Sequence, residues 1–129
     1  MLPEPWSLLG QALGLREGAV IAVPSEGLVL HRLVLHDPPT ADDFGPMSRL
    51  RAEKRGISEL GRTGLSHFST PEQAAAMSWK DEHMVARVRI PDDPRIHVAR
   101  TEEDRPGHHQ VWVPTDLVES LLATAEIVG

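Results

Sequence analysis

The chain of 129 residues contains no cysteine, which excludes disulfide bonds, thiolate zinc sites and a cysteine nucleophile together. No apolar run approaches the roughly 20 residues that a membrane-spanning helix needs. The first ten residues include Glu4 but no lysine or arginine, so they are not typical of a secretory signal. These absences predict a cytoplasmic protein that does not enter a membrane.

Lysine is scarce, because Lys54 and Lys80 are the only two and all other basic side chains of this type are arginines. The planar guanidinium suits bidentate contact with a carboxylate or phosphate, although a preference for arginine can equally reflect genome composition. The formal net charge of −6 argues against broad, sequence-independent binding to nucleic-acid phosphate. With 40% hydrophobic and 25% charged residues, a chain of this length is expected to form one domain over residues 1–129.

Apolar periodicity predicts more strands than helices. Residues 1–18 are expected to hold an N-terminal helical segment that is apolar enough to dock on a second copy of the chain, which favours a homodimer. Few links repeat a strand–helix–strand alternation, so the expected fold is α+β: a single compact domain, with its core in residues 28–129, a mixed or antiparallel sheet and three to four short helices. Strands are expected near residues 19–23, 28–36, 64–70, 83–90, 95–100, 108–113 and 127–128, and a last helix from Pro114 or Thr115.

Two signals mark where helices begin. Residues 70–73, Thr-Pro-Glu-Gln, form a capping box with proline at the first helical position, and the apolar residues that follow extend the predicted helix to Trp79. Thr40 is expected to cap a short helix through Asp43.

The densest cluster of chemically active side chains lies between Arg100 and Trp112. A loop with Arg100, Arg105 and three acids leads into a strand that begins with His108 and His109. Alternation sends His108 and Trp112 to one face and His109 to the other, so the two histidines cannot easily share a metal ion. Either histidine is a candidate general acid/base, and either arginine is a candidate to hold an anion. The alternative is a solvated loop whose acids pair with its own arginines.

His31 and Arg32 interrupt the most apolar strand. By alternation His31 shares a face with Leu33, and Arg32 shares the other face with Leu30 and Val34. A charged guanidinium in a central strand is costly unless an acid or an anionic ligand meets it. Two interpretations of Arg32 therefore remain: it forms a structural ion pair with an acid, or it lines a cleft that binds a nucleotide.

Ser66 precedes the helix that begins at Pro71. The free amides and positive dipole at a helix N-terminus favour an anion such as phosphate. A serine in a strand is also ordinary, and Thr70 is explained as the helix cap.

Several known motifs are missing. The sequence has no Gly-x-Gly-x-x-Gly, P-loop, Gly-x-Ser-x-Gly or His-Glu-x-x-His motif. His67 with His83, or His97 with His108, would have to meet in space to hold a metal, and no spacing supports this, so no metal site is predicted. A metal-dependent hydrolase is kept as a minor alternative.

Two resemblances accompany these residues. The chain resembles, over roughly residues 29–128, a group of small uncharacterised bacterial proteins, a likeness that implies no activity. The order of elements is similar to that of compact ADP-ribosyltransferase-like domains, including toxins of the RES type. The residues that carry the first likeness are Gly64 to Phe68, Arg100, Thr101, Gly107 to His109, Val111 and Trp112.

The second resemblance implies a histidine or arginine on an early strand, a serine or threonine on a second strand before a helix, and a late glutamate. His31 or Arg32, and then Ser66, match the first two positions. The glutamate is not matched on the strand after Gly107, where Gln110 stands. Glu119 and Glu126 are further candidates, on or after the last helix.

The leading hypothesis is an enzyme-like domain that binds NAD, as a substrate, or another phosphate-bearing ligand, with a bacterial toxin as its most natural setting. The alternative is a non-catalytic interaction protein such as an immunity factor, because an acidic surface with arginine-rich rims suits protein recognition. Under the leading hypothesis the catalytic candidates are His31, Ser66, His108 and His109, and the ligand-binding candidates are Arg32, Arg100, Arg105 and Trp112.

Overall fold

The computed structural model describes residues 21–45, 48–56, 63–101 and 105–128. The predicted N-terminal helical segment and the three acids of residues 102–104 lie outside these ranges. Within them the fold is α+β, as predicted, and every paired strand in its sheet runs antiparallel to its neighbour. None of the helices in these ranges has the length and apolar character needed to span a membrane.

One seven-stranded sheet organises these residues, in the order β1-β5-β6-β3-β2-β4-β7. Its strands are β1 (Ile21–Val23), β2 (Val29–Val34), β3 (Leu65–Phe68), β4 (Met84–Arg89), β5 (His97–Arg100), β6 (His108–Trp112) and β7 (Glu126–Ile127). The helical elements are the 3-10 helices Ala41–Phe44 and Thr115–Leu117 and the α-helices Arg49–Arg55, Pro71–Ala75 and Val118–Thr124.

The predicted capping box is confirmed at the start of the Pro71–Ala75 helix. Thr70 Oγ1 accepts a hydrogen bond of 3.1 Å from the Gln73 N–H, and the Gln73 side chain accepts one of 3.2 Å from the Thr70 N–H. The prediction that this helix continues to Trp79 is wrong. Its last turn tightens into bonds between residues three apart, such as Met77 N–H to Ala74 O, and the helix then ends.

The strand predicted over residues 28–36 is shorter than expected and ends at Val34. The Leu35 N–H donates to the Asp43 carboxylate, at 2.8 Å, instead of to a neighbouring strand. Asp43 also accepts from the Thr40 N–H at 2.9 Å, so Thr40 and Asp43 start the 3-10 helix in the predicted way.

The two faces of the sheet differ in chemistry. The core face is apolar and packs against Phe44 of the first 3-10 helix and Leu121 of the last helix. The opposite face, which we call the histidine face, carries polar side chains from the three adjacent strands β2, β3 and β6. Its polar members on these strands are His31, Ser66, His108 and Gln110, and the Pro71–Ala75 helix packs beside them through Phe68, Ala74 and Val85.

The sheet is nearly divided between β2 and β3. Only one residue pair, His31 with Phe68, joins these two strands, whereas six pairs join β2 to β4 and four join β3 to β6. The polar side chains of the histidine face lie on both sides of this short junction, because His31 is on β2 and Ser66 is on β3.

Candidate functional site

Alternation along the strands divides the predicted site residues between the two faces. The predicted faces of β2 and β6 are confirmed, because paired residues of antiparallel neighbours share a face. Three of the candidate residues, Arg32, Ser66 and His109, do not share a face: Ser66 is on the histidine face, and the other two are on the core face. His31, Ser66, His108 and Trp112 lie on the histidine face, and Arg32, Arg100 and His109 on the core face.

A row of directly opposed side chains crosses the histidine face. His31 of β2 pairs with Phe68 of β3, and Phe68 pairs with His108 of β6. The Phe68 and His108 rings are 5.3 Å apart between centroids. The row ends at Thr101, whose N–H donates to the His108 carbonyl at 2.8 Å. Four side chains from separate parts of the sequence thus form one line.

His108 is the most connected member of this row. Its Nδ1 atom lies 2.5 Å from Thr101 Oγ1, and its Nε2 atom lies 3.2 Å from Ser66 Oγ. Arg105 Nη2 also lies 3.2 Å from Nε2. The imidazole is fully buried, whereas Ser66 is partly exposed. The arrangement couples the hydroxyl of a partly exposed serine to a buried imidazole, which is a geometry suited to general-base chemistry.

Other polar side chains of this face are buried and hold atoms that find no hydrogen-bond partner among the described residues. These atoms are both ring nitrogens of His31, which is 6% exposed, and Oε1 of Gln110, which is 4% exposed. Leaving a buried polar group without a partner costs about 1–3 kcal/mol. Such groups in a native protein call for an explanation, and a polar ligand is one of them.

Gly64 and Trp112 form one border of the face. A Cβ atom on Gly64 would lie 2.5 Å from Gln110 Oε1 and 3.1 Å from Trp112 Cε2. Trp112 is buried at the opposite side of β6 from His109. Trp112, a predicted ligand-binding residue, is therefore part of the wall of the site, with little of its surface exposed.

Among the described residues, Arg105, Arg87, Arg89 and Glu126 are charged groups of the histidine face. Arg105 contacts His108, and its Cζ atom lies 6.0 Å from the centroid of the Phe68 ring. Arg87 pairs with His31 across β2 and β4 and reaches Glu126 at 3.3 Å. Of the arginines predicted to hold a ligand, Arg105 is therefore on the histidine face, whereas Arg32 and Arg100 are on the core face.

Arg32 is held by protein groups on the core face. Its Nη1 atom donates to the Ser66 carbonyl at 2.7 Å, its Nε atom donates to the Asp43 carbonyl at 2.8 Å, and its Cζ atom lies 5.7 Å from the Phe44 ring. Burial lowers the pKa of Arg32 to about 10, and the charge of Asp43 opposes this shift. These contacts favour the structural interpretation of Arg32 over phosphate binding.

His67 and His109 are opposite each other on the core face. Each directs Nδ1 to the carbonyl two residues earlier in the chain, at 2.9 Å: His67 to Leu65 and His109 to Gly107. Burial, followed by the charge of Arg32, lowers the pKa of His67 to about 3. His67 is therefore neutral near pH 7, and its role is to fill the core.

Sequence reasoning did not assign a role to Thr101 or Arg87. Thr101 is found only when the hairpin between β5 and β6 is extended by one residue pair beyond Arg100 and His109. The alternation of β4 places Arg87 on a face with Val85, but only the pairing of β4 with β2 brings it opposite His31. Both signals are in the register between strands, which composition and periodicity do not specify.

In the parts of the chain that the structure describes, no three histidines or acids come close enough to hold a metal ion. Comparison of the chain with protein-family models, with curated proteins and with solved structures finds no match.

Proposed function

We propose that the histidine face binds NAD or another phosphate-bearing nucleotide. In this proposal the chain is an ADP-ribosyltransferase-like domain that acts on this ligand, as NAD-consuming bacterial toxins do. The observation that carries the proposal is the common face of His31, Ser66 and Gln110 on the adjacent strands β2, β3 and β6. The resemblance to ADP-ribosyltransferase-like domains implies a histidine or arginine on β2, a serine or threonine on β3 and a late glutamate on β6.

The unpartnered atoms of this face suit the polar groups of a nucleotide. Each His31 ring nitrogen can donate or accept according to tautomer, and the Gln110 carbonyl accepts a hydrogen bond from a hydroxyl or amide. A ribose hydroxyl or the carboxamide of nicotinamide supplies such partners. Arg105 supplies a guanidinium, the preferred group for phosphate.

Gln110 limits the chemistry that this face would perform. An amide has no charge and does not take up a proton near neutral pH, so it does not replace a catalytic carboxylate. Gln110 would orient the ligand through hydrogen bonds, and proton transfer would rest with Ser66 and His108, which lie 3.2 Å apart. We therefore expect the chain to bind the nucleotide but to convert it slowly.

The binding step is tested by thermal denaturation of the full chain with NAD and with ADP-ribose. A ligand at about 100 times its Kd stabilises a folded protein by about 2.7 kcal/mol, which raises the melting temperature by several degrees. We expect this rise for the natural chain and its loss in His31→Leu and in Gln110→Leu. Both substitutions fill the buried space with an apolar side chain and remove the hydrogen-bonding atoms.

The matched control is Arg95→Gln, since Arg95 is exposed and lies on the loop between β4 and β5, away from the histidine face. It should keep the full nucleotide-induced rise. Absence of a rise with either ligand would remove the proposal, and so would an equal rise in all four proteins.

A second candidate function, that of a protein-interaction or immunity-type partner, is favoured by the exposed side chain of Trp79. Trp79 is 66% and Leu50 64% exposed. Lys80 Nζ lies 4.6 Å and Arg51 Cζ 6.0 Å from the Trp79 ring centroid. Tryptophan and arginine are enriched at protein interfaces. This basic, aromatic patch on an acidic chain would suit an acidic protein segment.

The interaction proposal is tested by titrating the chain with a synthetic peptide of glutamate and leucine and, as control, with the same peptide carrying lysine for glutamate. Amide chemical shifts should move around Trp79 with the acidic peptide alone. The Trp79→Ala variant should lose this response. Equal binding of both peptides, or an unchanged response in the variant, contradicts the proposal.

A further inference from the structure

Ser66, His108 and Thr101 form a continuous chain of hydrogen-bonding side chains across β3, β6 and the end of β5. Ser66 Oγ lies 3.2 Å from one ring nitrogen of His108, and Thr101 Oγ1 lies 2.5 Å from the other. His108 and Thr101 are fully buried, while Ser66 is partly exposed. One end of the chain can therefore meet a solute, and the other end is fixed within the protein.

Arg105 indicates where the imidazole proton lies. Its Nη2 atom is 3.2 Å from His108 Nε2, and a guanidinium can only donate hydrogen bonds. Nε2 is therefore the accepting nitrogen, and Nδ1 carries the proton that it donates to Thr101 Oγ1. The Ser66 hydroxyl faces the same Nε2 lone pair, which is the group that can take its proton.

Ser66 and Arg105 compete for this single in-plane lone pair. A negatively charged group that engages the guanidinium of Arg105 leaves the lone pair to the Ser66 hydroxyl. The same cation then stabilises the negative charge that develops when a nucleophile attacks the bound group. An anionic substrate would thus strengthen the contact between Ser66 and His108 when it binds.

We propose that Ser66 is the nucleophile of a phosphoryl-transfer reaction, with His108 as its general base and Thr101 as a positioning residue. In the first step the bond between Ser66 Oγ and phosphorus forms, and the Ser66 proton passes to His108 Nε2. The bond from phosphorus to the leaving group breaks, and the leaving group departs with the electron pair and receives the proton from His108.

Water completes the reaction. A water molecule loses a proton to His108 and attacks the phosphorus of the phosphoserine, and the bond between phosphorus and Ser66 Oγ breaks. Ser66 recovers its proton from His108, and free phosphate leaves. This inference goes beyond the proposed function, because it requires a phosphoryl electrophile and neither nicotinamide nor ribose.

The test uses a fluorophosphonate, which forms a stable bond from phosphorus to a reactive serine and releases fluoride. The full chain is incubated with the reagent, and the adduct is followed by intact mass and located by peptide mass spectrometry. We expect one adduct per chain, on Ser66. Ser66→Ala should form none, and Ser69→Ala, which removes the neighbouring exposed hydroxyl, should react at the natural rate.

The roles of the other two residues are tested by rates. His108→Gln should lower the rate about 100-fold or more, the usual range for a general base. Thr101→Val is isosteric and keeps the packing, so it serves as the second test if His108→Gln fails to fold. It should lower the labelling rate about tenfold, because it removes the hydrogen bond that sets the tautomer of His108. Thr101→Ser should restore the natural rate, an outcome that a purely space-filling role of Thr101 does not predict.

Three outcomes would overturn the inference: no adduct on the folded chain, an adduct that forms equally in denaturing urea, or a rate unchanged by both His108→Gln and Thr101→Val. NAD binding measured on the same samples separates this inference from the proposed function. Labelling of Ser66 without stabilisation by NAD would support the role of Ser66 as a nucleophile and contradict the proposal that the chain binds a nucleotide. Stabilisation by NAD without labelling would support nucleotide binding and contradict the role of Ser66 as a nucleophile.

Discussion

Arg32 Nη1 donates a hydrogen bond of 2.7 Å to the backbone carbonyl of Ser66. The bond reaches from β2 to β3 at a point where the backbone ladder between them has ended, since only His31 and Phe68 pair. A second bond, from Arg32 Nε to the Asp43 carbonyl, ties the same side chain to the first 3-10 helix. Arg32 therefore fixes the backbone of Ser66 from the core face, while the Ser66 hydroxyl meets His108 on the other.

Arg32→Met is expected to lower the free energy of unfolding by roughly 2–4 kcal/mol, because it removes two charge-assisted hydrogen bonds to buried carbonyls. Urea denaturation measures this loss. Arg87→Met is the matched control: Arg87 is exposed, its pair with Glu126 is on the surface, and its loss should cost less than about 1 kcal/mol. An Arg32→Met variant of natural stability that no longer binds NAD would instead make Arg32 a ligand-binding residue.

The strand pattern of the sequence was sufficient to predict which side chains share a face of one strand. The assignments of His31 and Arg32 to opposite faces of β2, and of His108 and His109 to opposite faces of β6, are confirmed. These predictions succeed because side-chain direction in a strand has a period of two, whatever lies beside it.

The same pattern could not show which strands are neighbours or in which register. Ser66 meets His108 because β3 lies next to β6, although 42 residues separate the two side chains in sequence. A shift of one residue in that register would turn Ser66 away from the histidine face. The sequence therefore could not show that Ser66 lies on the face opposite to Arg32 and His109, whereas the capping box at Thr70 was predicted correctly because it depends on residues three apart.

Asp43→Asn is expected to destabilise the chain by roughly 2–4 kcal/mol. The Asp43 carboxylate accepts from the Leu35 and Thr40 N–H groups and contacts His36 Nδ1 at 3.0 Å, and an amide supplies only one accepting oxygen for these groups. Burial raises the pKa of Asp43, but these hydrogen bonds outweigh burial and lower it overall. The neighbouring Asp42→Asn, at an exposed position, should change stability by less than about 0.5 kcal/mol in the same urea titrations. Equal effects of the two substitutions would contradict this account.

Gly107→Ala tests the turn that leads into β6. Gly107 has φ +70°, and a Cβ atom there would overlap the Gln73 side chain. Gly27 has the same φ of +70°, and no atom of the described residues lies within 4 Å of a Cβ built there, so Gly27→Ala tests the backbone strain alone. We expect Gly27→Ala to cost about 1 kcal/mol and Gly107→Ala to cost about 1–3 kcal/mol more.

A double-mutant cycle completes this test. Gln73→Ala removes the overlapping side chain, so the further cost of Gly107→Ala in that background should fall to the cost of Gly27→Ala. The free energies of unfolding from chemical denaturation decide the matter. If Gly107→Ala costs as much without the Gln73 side chain as with it, the overlap does not limit this position.

His67 makes the stability of the chain depend on pH. Burial lowers its pKa from 6.5 to about 3 in the folded state, so the unfolded chain binds more protons between these values and stability falls as pH drops below 6.5. Between about pH 7.5 and 5, His67 alone should remove about 2 kcal/mol of the free energy of unfolding. Urea denaturation across this range measures the loss. The free energy of unfolding of His67→Met, which cannot titrate at this position, should fall by about 2 kcal/mol less than that of the natural chain over the same range. Parallel declines in the two proteins would mean that His67 is protonated in the folded chain or that it is open to solvent.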